Sequence, residues 1–218
     1  MNWKKTENIA KLPEGSYRSV AGYAGESLVV GRALLCGFNL FFKAWRDSKY
    51  DAVLDAENVL YRIEIKQTLG NTSISVSSGG RSGEQISRNV ESREKPISTD
   101  DCDFLIATQS NTGLCWVIPA ELIEILELKQ MNIKAIKAFE EKWSIFTLRD
   151  PKVTPYLKSG FRVANNLSDI ALHLKINISQ LDTTFSLDSS NNRLKKFKLS
   201  KKDRLVAEIW KQLFSNLS

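Results

Sequence analysis

The chain has 218 residues, which is the length of one large domain or of one domain with a modest appendage. Its composition, 42% hydrophobic and 26% charged, excludes disorder along the whole chain, and no apolar run reaches the ~18–20 residues of a membrane span. The net charge is +6, and three cysteines without close pairs and a single histidine argue against a disulfide framework, a zinc site or a mechanism that needs two histidines. Without a secretory signal at its start, the chain is expected to be a soluble, reduced, cytoplasmic protein.

The positive charge is concentrated in the last third of the chain. Residues 1–149 contain 19 basic and 19 acidic residues, whereas residues 150–218 contain 12 basic and 6 acidic residues. A one-sided basic surplus is typical of proteins that bind a polyanion, most often nucleic acid. A solvated basic surface without a partner is the alternative.

A long helix is predicted near the start of the chain, over residues 16–36, and Gly37 stands where a C-terminal helix cap would. Glu26 lies inside this helix. Apolar residues fall largely on one face at helical spacing: Val20, Tyr23, Ala24, Leu28, Leu34 and Leu35.

A run of short strands follows the helix. Strands are predicted at residues 38–42, 52–54 and 59–66, with a hairpin turn at residues 56–58 and a further strand at residues 71–77. The strand at residues 59–66 alternates apolar and polar side chains, which predicts one buried face and one polar face. Tyr61, Ile63 and Ile65 form the first face, and Arg62, Glu64 and Lys66 form the second.

The remaining elements are mainly helical. The sequence predicts a flexible loop at residues 77–83, a polar, arginine-rich helix at 84–95, two strands at 104–107 and 114–118, and helices at 120–128 and 132–143. The tail is predicted to contain an amphipathic helix at residues 167–174 and a basic amphipathic helix at 193–211. A helix, then a run of strands, then helices predicts a mixed α/β core.

The central feature of the sequence is Asp51, followed after twelve intervening residues by Glu64-Ile65-Lys66. Glu64 and Lys66 are two residues apart on a predicted strand, so they project from the same face. A hairpin would bring Asp51 alongside, and two carboxylates on one face repel each other unless a cation lies between them. Oxygen ligands without histidine or cysteine nearby favour Mg²⁺ or Mn²⁺, and Lys66 could then orient a water or neutralise a phosphate. The alternative is an exposed strand face with a cross-strand ion pair.

This arrangement resembles the PD-(D/E)xK nuclease superfamily over about residues 20–118. The matching segments, in order, are Gly25-Glu26 in a helix that ends near residue 37, residues 49–55, residues 61–68, residues 103–106 and residues 116–119. Their order looks most like the branch of archaeal Holliday-junction resolvases and an intron homing endonuclease, and restriction enzymes share the same core. The resemblance implies an α/β fold in which helices flank a mixed central β-sheet, a restriction-endonuclease-like core.

The predicted organisation has two parts. Residues 1–149 would form the nuclease core with its N-terminal helix, and residues 150–218 would form a basic, mainly helical C-terminal region for DNA binding or an accessory role. Whether the second part is a separate domain is left open.

The resemblance also implies roles for individual residues. Asp51 and Glu64 would bind the metal, together with the backbone carbonyl of Ile65 and the helical Glu26, and Lys66 would be the catalytic lysine. The implied cofactor is Mg²⁺, for which Mn²⁺ would substitute. The implied reaction is hydrolysis of a DNA phosphodiester by a metal-activated water, leaving a 5′-phosphate.

Two positions near the motif qualify these assignments. Tyr50 stands where the family usually has a proline, but that proline is not a ligand. Asp55 has the same strand parity as Asp51 and is the alternative for the motif aspartate, although it lies next to the predicted turn.

Candidate DNA-binding residues lie outside the motif. Small residues in the predicted loop at 77–83 let a backbone approach a phosphate, and an arginine within it could enter a groove. A flexible hairpin without DNA contacts is the alternative. The candidates in the loop, in the segment after it and in the tail are Arg81, Gln85, Arg88, Arg93, Lys195, Lys196 and Lys198.

Three functions fit these features. The first is a metal-dependent type II restriction endonuclease that cuts double-stranded DNA as a homodimer, and the long basic tail favours recognition of sequence over shape. The second uses the same chemistry in a homing endonuclease or a Holliday-junction resolvase. The third, of a different class, is a catalytically inactive DNA-binding protein, against which the intact Asp51, Glu64 and Lys66 argue.

Overall fold

The computed structural model describes residues 14–43, 48–68, 70, 72–78, 94–181, 184–187 and 197–217. The elements of the first half are α1 (Glu14–Leu35), β1 (Asn39–Phe42), β2 (Ala52–Ala56), β3 (Val59–Thr68), β4 (Ser73–Ser75), β5 (Ser77–Ser78), β6 (Lys95–Pro96), β7 (Phe104–Gln109) and β8 (Cys115–Pro119). They are followed by α2 (Ala120–Leu126), β9 (Gln130–Asn132), 3₁₀ helices at Ile133–Phe139 and Trp143–Thr147, α3 (Tyr156–Ser159), α4 (Leu167–His173), a 3₁₀ helix at Ile178–Gln180, β10 (Thr184–Phe185), β11 (Phe197–Lys198) and α5 (Lys201–Asn216).

A five-stranded sheet in the order β1-β2-β3-β7-β8 forms the centre of the fold. β3 runs parallel to β7, and the other neighbouring pairs are antiparallel. The β2–β3 hairpin closes through Glu57 and Asn58, whose φ angles of 48° and 78° give the left-handed turn that matches strand twist. Because α1 packs across β1, β3 and β7, the predicted α/β fold with a mixed sheet and flanking helices is confirmed.

The first helix faces the sheet with small and medium-sized residues. Gly25, Val29 and Ala33, spaced by four, are buried against the sheet, and a Cβ added at Gly25 would lie 2.8 Å from the Cβ of Gln67 in β3. The helix can therefore approach β3 closely only because position 25 has no side chain. The apolar face recognised in the sequence points the other way, as Tyr23 at 70% exposure illustrates.

The last third of the chain packs against the core. The indole of Trp210 in α5 contacts the rings of Phe104 in β7 and of Phe161. Its Nε1–H donates a hydrogen bond of 2.8 Å to the buried carboxylate of Glu121 in α2. Residues on both sides of position 150 thus share one hydrophobic core. The division at residues 149 and 150 stays a prediction about how the chain is organised.

Some predicted elements differ from the observed ones. The strand at residues 71–77 is two short strands, β4 and β5, which pair with β9 and β6 respectively. The predicted helix at 84–95 ends at the wrong place, because Lys95 lies in the strand β6. Residues 84–93 of that prediction lie outside the described part of the chain. The stretch at 132–143 contains a 3₁₀ helix at Ile133–Phe139 rather than an α-helix.

The basic helix of the tail begins later than predicted. It starts at Lys201 rather than residue 193, since β11 precedes it and Ser200 caps its first turn. The Ser200 hydroxyl accepts from the Asp203 backbone N–H at 3.1 Å and donates to the Asp203 carboxylate at 2.7 Å. Among the residues described, no helix combines the length and apolar character needed to cross a membrane.

Candidate active site

Asp51 and Glu64 lie side by side at the point where β2 begins. β2 pairs with β3 so that Ala52 lies opposite Ile63, and the Asp51 N–H donates to the Ile63 carbonyl at 2.9 Å. This register sets Asp51 beside Glu64. Asp55, the other candidate, lies opposite Leu60 near the far end of the hairpin. The hairpin therefore brings Asp51, and not Asp55, to the Glu64-Ile65-Lys66 triplet.

The carboxylate of Asp51 is held by two donors. Its Oδ2 accepts from the backbone N–H of Ile65 at 2.9 Å, and its Oδ1 accepts from the Lys43 ammonium at 3.0 Å. In a strand, the N–H and the carbonyl of one residue point to the same edge, and those of the next residue point to the other edge. The Ile65 carbonyl therefore points to the same edge of β3 as its N–H, beside Asp51.

Glu64 is a buried carboxylate paired with a lysine. Only 8% of the residue is exposed, and its Oε1 accepts from the Lys66 ammonium, which remains partly exposed. Burial raises the pKa of Glu64 to about 7; the Lys66 charge opposes that shift and the Asp51 charge adds to it. Without another cation, the negative charge on Glu64 is therefore poorly stabilised.

Glu26 faces the same region from α1. Burial raises the pKa of Glu26, the negative charge of Asp51 raises it further, and the Lys43 ammonium lowers it. The close packing at Gly25 is what brings this part of α1 to β3. Within the described residues, however, no three histidine, cysteine, aspartate or glutamate side chains are grouped closely enough to hold a metal ion. A metal role for Glu26 stays a prediction.

Asp51, Glu64 and Lys66 open into a cleft of about 570 Å³. Its lining combines lysines, carboxylates and small hydroxyl side chains: Lys43, Ser48, Lys49, Asp51, Glu64, Lys66, Ser75, Ser77, Ser78, Glu94, Lys95 and Asp101. Within this lining, the Lys95 ammonium pairs with Asp101 at 3.1 Å. The lining thus holds four lysines and four carboxylates, so a polyanion would enter this cleft most favourably together with a cation at the carboxylates.

The candidate DNA-binding residues fall mostly beyond the described part of the chain. Arg81, Gln85, Arg88, Arg93, Lys195 and Lys196 lie outside the described residues, and Lys198 is exposed on β11. Ser78 and Glu94, which flank the segment at residues 79–93, both line the cleft. The described residues on either side of that segment therefore lie at the candidate active site.

The comparison with known protein families shows which family this chain belongs to. A family model described as PD-(D/E)XK endonuclease matches residues 19–147, more than half of the chain. The chain belongs to the PD-(D/E)XK endonuclease family. The resemblance recognised in the sequence is thereby confirmed, and membership supports a nuclease that acts on DNA. The matched range includes Glu26, Asp51, Glu64 and Lys66.

Three solved chains match, and one of them is described by name. The bacterial homing endonuclease I-Ssp6803I is 22% identical, with a TM-score of 0.44, over 53% of this chain and 76% of that one. None of the curated proteins compared with the chain matches it.

Lys43 is the residue of the site that the sequence did not point to. It lies just after β1, and β1 pairs with β2 so that Phe42 faces Ala52, which brings Lys43 next to Asp51. Neither spacing nor periodicity marks it, because the contact depends on the register of two strands joined by a long connection.

Proposed function

We propose that this protein is a divalent-metal-dependent DNA endonuclease in which Asp51, Glu64 and Lys66 carry the reaction, and that it acts as a type II restriction endonuclease on double-stranded DNA. The observation that carries the proposal is the pair of carboxylates at the start of the β2–β3 hairpin, with a lysine on the same face and a cleft in front of them.

The donor set fits a hard divalent cation. Two carboxylates and a backbone carbonyl at one strand edge are the oxygen donors that Mg²⁺ and Mn²⁺ prefer. The raised pKa of Glu64, caused by its burial, means that an added cation would stabilise its charge. Asp51, Glu64 and the Ile65 carbonyl would hold the ion, with Glu26 completing its shell. When bound, the metal lowers the pKa of water and neutralises charge on the phosphate.

The side chains of the motif have separable tasks. The Ile65 N–H fixes the Asp51 carboxylate so that it needs no reorientation before reaction. Lys66 is the donor closest to Glu64 and is partly exposed to the cleft, so its ammonium can turn to a phosphate oxygen or to the attacking water. The burial of Glu64 keeps bulk water from screening these charges.

Recognition of a DNA sequence is assigned to the cleft rim and the basic tail. Arg81, Gln85, Arg88 and Arg93 belong to the segment whose neighbours Ser78 and Glu94 line the cleft. Lys195, Lys196 and Lys198 belong to the tail, where basic residues outnumber acidic ones two to one. Arginines and glutamine can read base edges, whereas lysines contact phosphates.

A homodimer is proposed because two strands must be cut. The outward face of α1 offers a matching surface, since Val20, Tyr23, Leu28 and Leu34 are exposed there at 37–70%. Contiguous exposed apolar surface of this kind commonly marks a protein interface. A Tyr23→Glu variant would place a charge in that face. It should be monomeric by light scattering and should nick supercoiled plasmid rather than linearise it. A wild-type monomer that linearises plasmid would refute the dimer.

The substrate class is tested with two DNAs. Purified protein is incubated with long, sequence-diverse linear DNA and, separately, with a four-way junction, each with Mg²⁺ and with EDTA. Discrete Mg²⁺-dependent fragments with a common end sequence support the restriction endonuclease. Rare cuts that occur only in very long DNA would instead indicate a homing endonuclease. Cleavage of the four-way junction alone would indicate a resolvase. Binding without cleavage by any divalent ion would overturn the enzymatic proposal.

A further inference from the structure

Lys43 is tied to the candidate metal-binding aspartate by both backbone and side chain. Its backbone N–H donates to the Asp51 carbonyl at 3.0 Å, as the next step of the β1–β2 pairing. Its ammonium donates to Asp51 Oδ1 at 3.0 Å and to the Ser48 carbonyl at 3.3 Å. The pairing of β1 with β2 therefore fixes the position of the Lys43 backbone beside Asp51. The contact does not depend only on the reach of a long, flexible side chain.

Both oxygens of the Asp51 carboxylate are engaged. The N–H of Ile65, which holds Oδ2, belongs to the central strand β3 and cannot leave without breaking the sheet. The Lys43 ammonium, which holds Oδ1, is at the end of a flexible side chain that is 27% exposed. Each carboxylate oxygen can accept a second bond, but a cation at Asp51 would be repelled by the Lys43 ammonium, so Lys43 rather than the Ile65 N–H is the group expected to move away.

The Lys43 charge also acts beyond Asp51. It lowers the pKa of Glu64 and of Glu26, so its ammonium lies within electrostatic reach of all three carboxylates. Lys43 occupies the position of a counter-ion for the whole group. Lys66, in contrast, is paired with Glu64.

We infer that Lys43 is an exchangeable counter-ion of the active site: it holds Asp51 in place before a divalent cation arrives, gives up Oδ1 to that cation, and then binds a backbone phosphate of the DNA in the cleft. The inference rests on the proposed function. Lys43 lines the same cleft as Lys49 and Lys95, so an ammonium released from Asp51 stays where a polyanion would lie.

The inference predicts opposite effects on metal binding and on DNA. Without DNA, the Lys43 charge competes with the metal, so Lys43→Met should tighten metal binding. A unit charge about 5 Å from a divalent ion changes affinity by about tenfold even at the screening of water. With DNA and metal present, the same variant should bind DNA more weakly and cleave it more slowly.

The test is a Mn²⁺ titration of the full chain without DNA, with free Mn²⁺ followed by electron paramagnetic resonance. Lys43→Met should bind Mn²⁺ about tenfold more tightly than the wild type, and Lys43→Arg, which keeps the charge, should not. Lys49→Met is the matched control, because it removes the same charge from the same cleft. The lysine that forms the ion pair with Asp51 is Lys43, so this variant leaves that ion pair in place. Its Mn²⁺ affinity should stay within about twofold of the wild type, because its charge is more exposed. Thermal unfolding in EDTA verifies that each variant is folded.

The outcomes separate the inference from the proposed function. If Lys43→Met binds Mn²⁺ no more tightly than the wild type, while Asp51→Asn weakens binding, the counter-ion role is overturned and the metal site stands. If the two lysine variants tighten binding equally, the effect is one of general charge and the inference is overturned. If the wild type binds no Mn²⁺, both the metal site and the inference fail.

Discussion

Glu121 joins the last third of the chain to the nuclease core, and its removal is predicted to be severely destabilising. The residue is 3% exposed and lies in the first turn of α2. Its carboxylate accepts from three donors: the Phe161 N–H at 2.8 Å, the Arg162 N–H at 2.7 Å and the Trp210 Nε1–H at 2.8 Å. All three donors come from the region after residue 150.

The size of the effect follows from the number of donors. Glu121→Ala leaves three donors without their acceptor, at about 1–3 kcal/mol each, so the expected loss of unfolding free energy is about 3–9 kcal/mol. Glu121→Gln keeps one carbonyl oxygen, which can serve the Phe161 and Trp210 donors now sharing Oε2, but sets an amide against the Arg162 N–H. The expected loss for this variant is about 1–3 kcal/mol. A typical domain has only about 5–15 kcal/mol to lose.

Urea unfolding followed by far-ultraviolet circular dichroism measures these values. Glu127→Gln is the control, because it neutralises an exposed carboxylate at the end of the same helix and should change stability by less than about 0.5 kcal/mol. A loss below about 1 kcal/mol for Glu121→Ala, or equal losses for the two Glu121 variants, would refute the reasoning.

Two further predictions concern α1 and the cleft wall. Gly25→Ala should lower the free energy of unfolding in urea by about 1–3 kcal/mol, because the new methyl group would meet Gln67 at 2.8 Å. The control Gly22→Ala has open space around it and should raise the free energy of unfolding by up to about 1 kcal/mol. Equal stabilisation by the two substitutions would contradict the close packing of the helix. Burial alone would raise the pKa of Asp101, but hydrogen bonds from Ser98 and a nearby lysine hold this pKa below its ordinary value. The ionised carboxylate therefore stabilises the fold above pH ~4, and this stabilisation is lost as pH falls through the lowered pKa. Ser98→Ala should therefore cost about 1–2 kcal/mol at neutral pH and progressively less towards pH ~2, and a cost independent of pH would contradict this.

Those features of the candidate site that depend on residues close together in the chain could be predicted from the sequence. Alternation along residues 59–66 correctly placed Glu64 and Lys66 on one face, because side-chain direction in a strand depends only on position. The tight turn at Glu57 and Asn58 then fixed which aspartate meets Glu64. Asp51 and Asp55 are four positions apart, and the register of the hairpin distinguishes them.

The features that sequence reasoning missed depend on contacts between distant segments. Lys43 reaches Asp51 only through β1–β2 pairing, and α1 turns Gly25, Val29 and Ala33 to the sheet, where Gly25 packs closely against Gln67. Neither contact leaves a periodic pattern in the chain. The late start of α5 is different, since Ser200 with Asp203 three residues later is a helix-start signal that could have been read.

The most direct test of the account is the rate of DNA cleavage in Mg²⁺ by the wild type, Lys66→Met, Asp51→Asn and Asp55→Asn under single-turnover conditions. Asp55 is the matched control for Asp51, because it lies in β2, which directly follows Asp51, but opposite Leu60 and away from the triplet. The account predicts cleavage that stops in EDTA, a loss of about 10²-fold or more for Lys66→Met and Asp51→Asn, and little change for Asp55→Asn. Cleavage by Lys66→Met at the wild-type rate, or loss of activity in Asp55→Asn but not in Asp51→Asn, would contradict it.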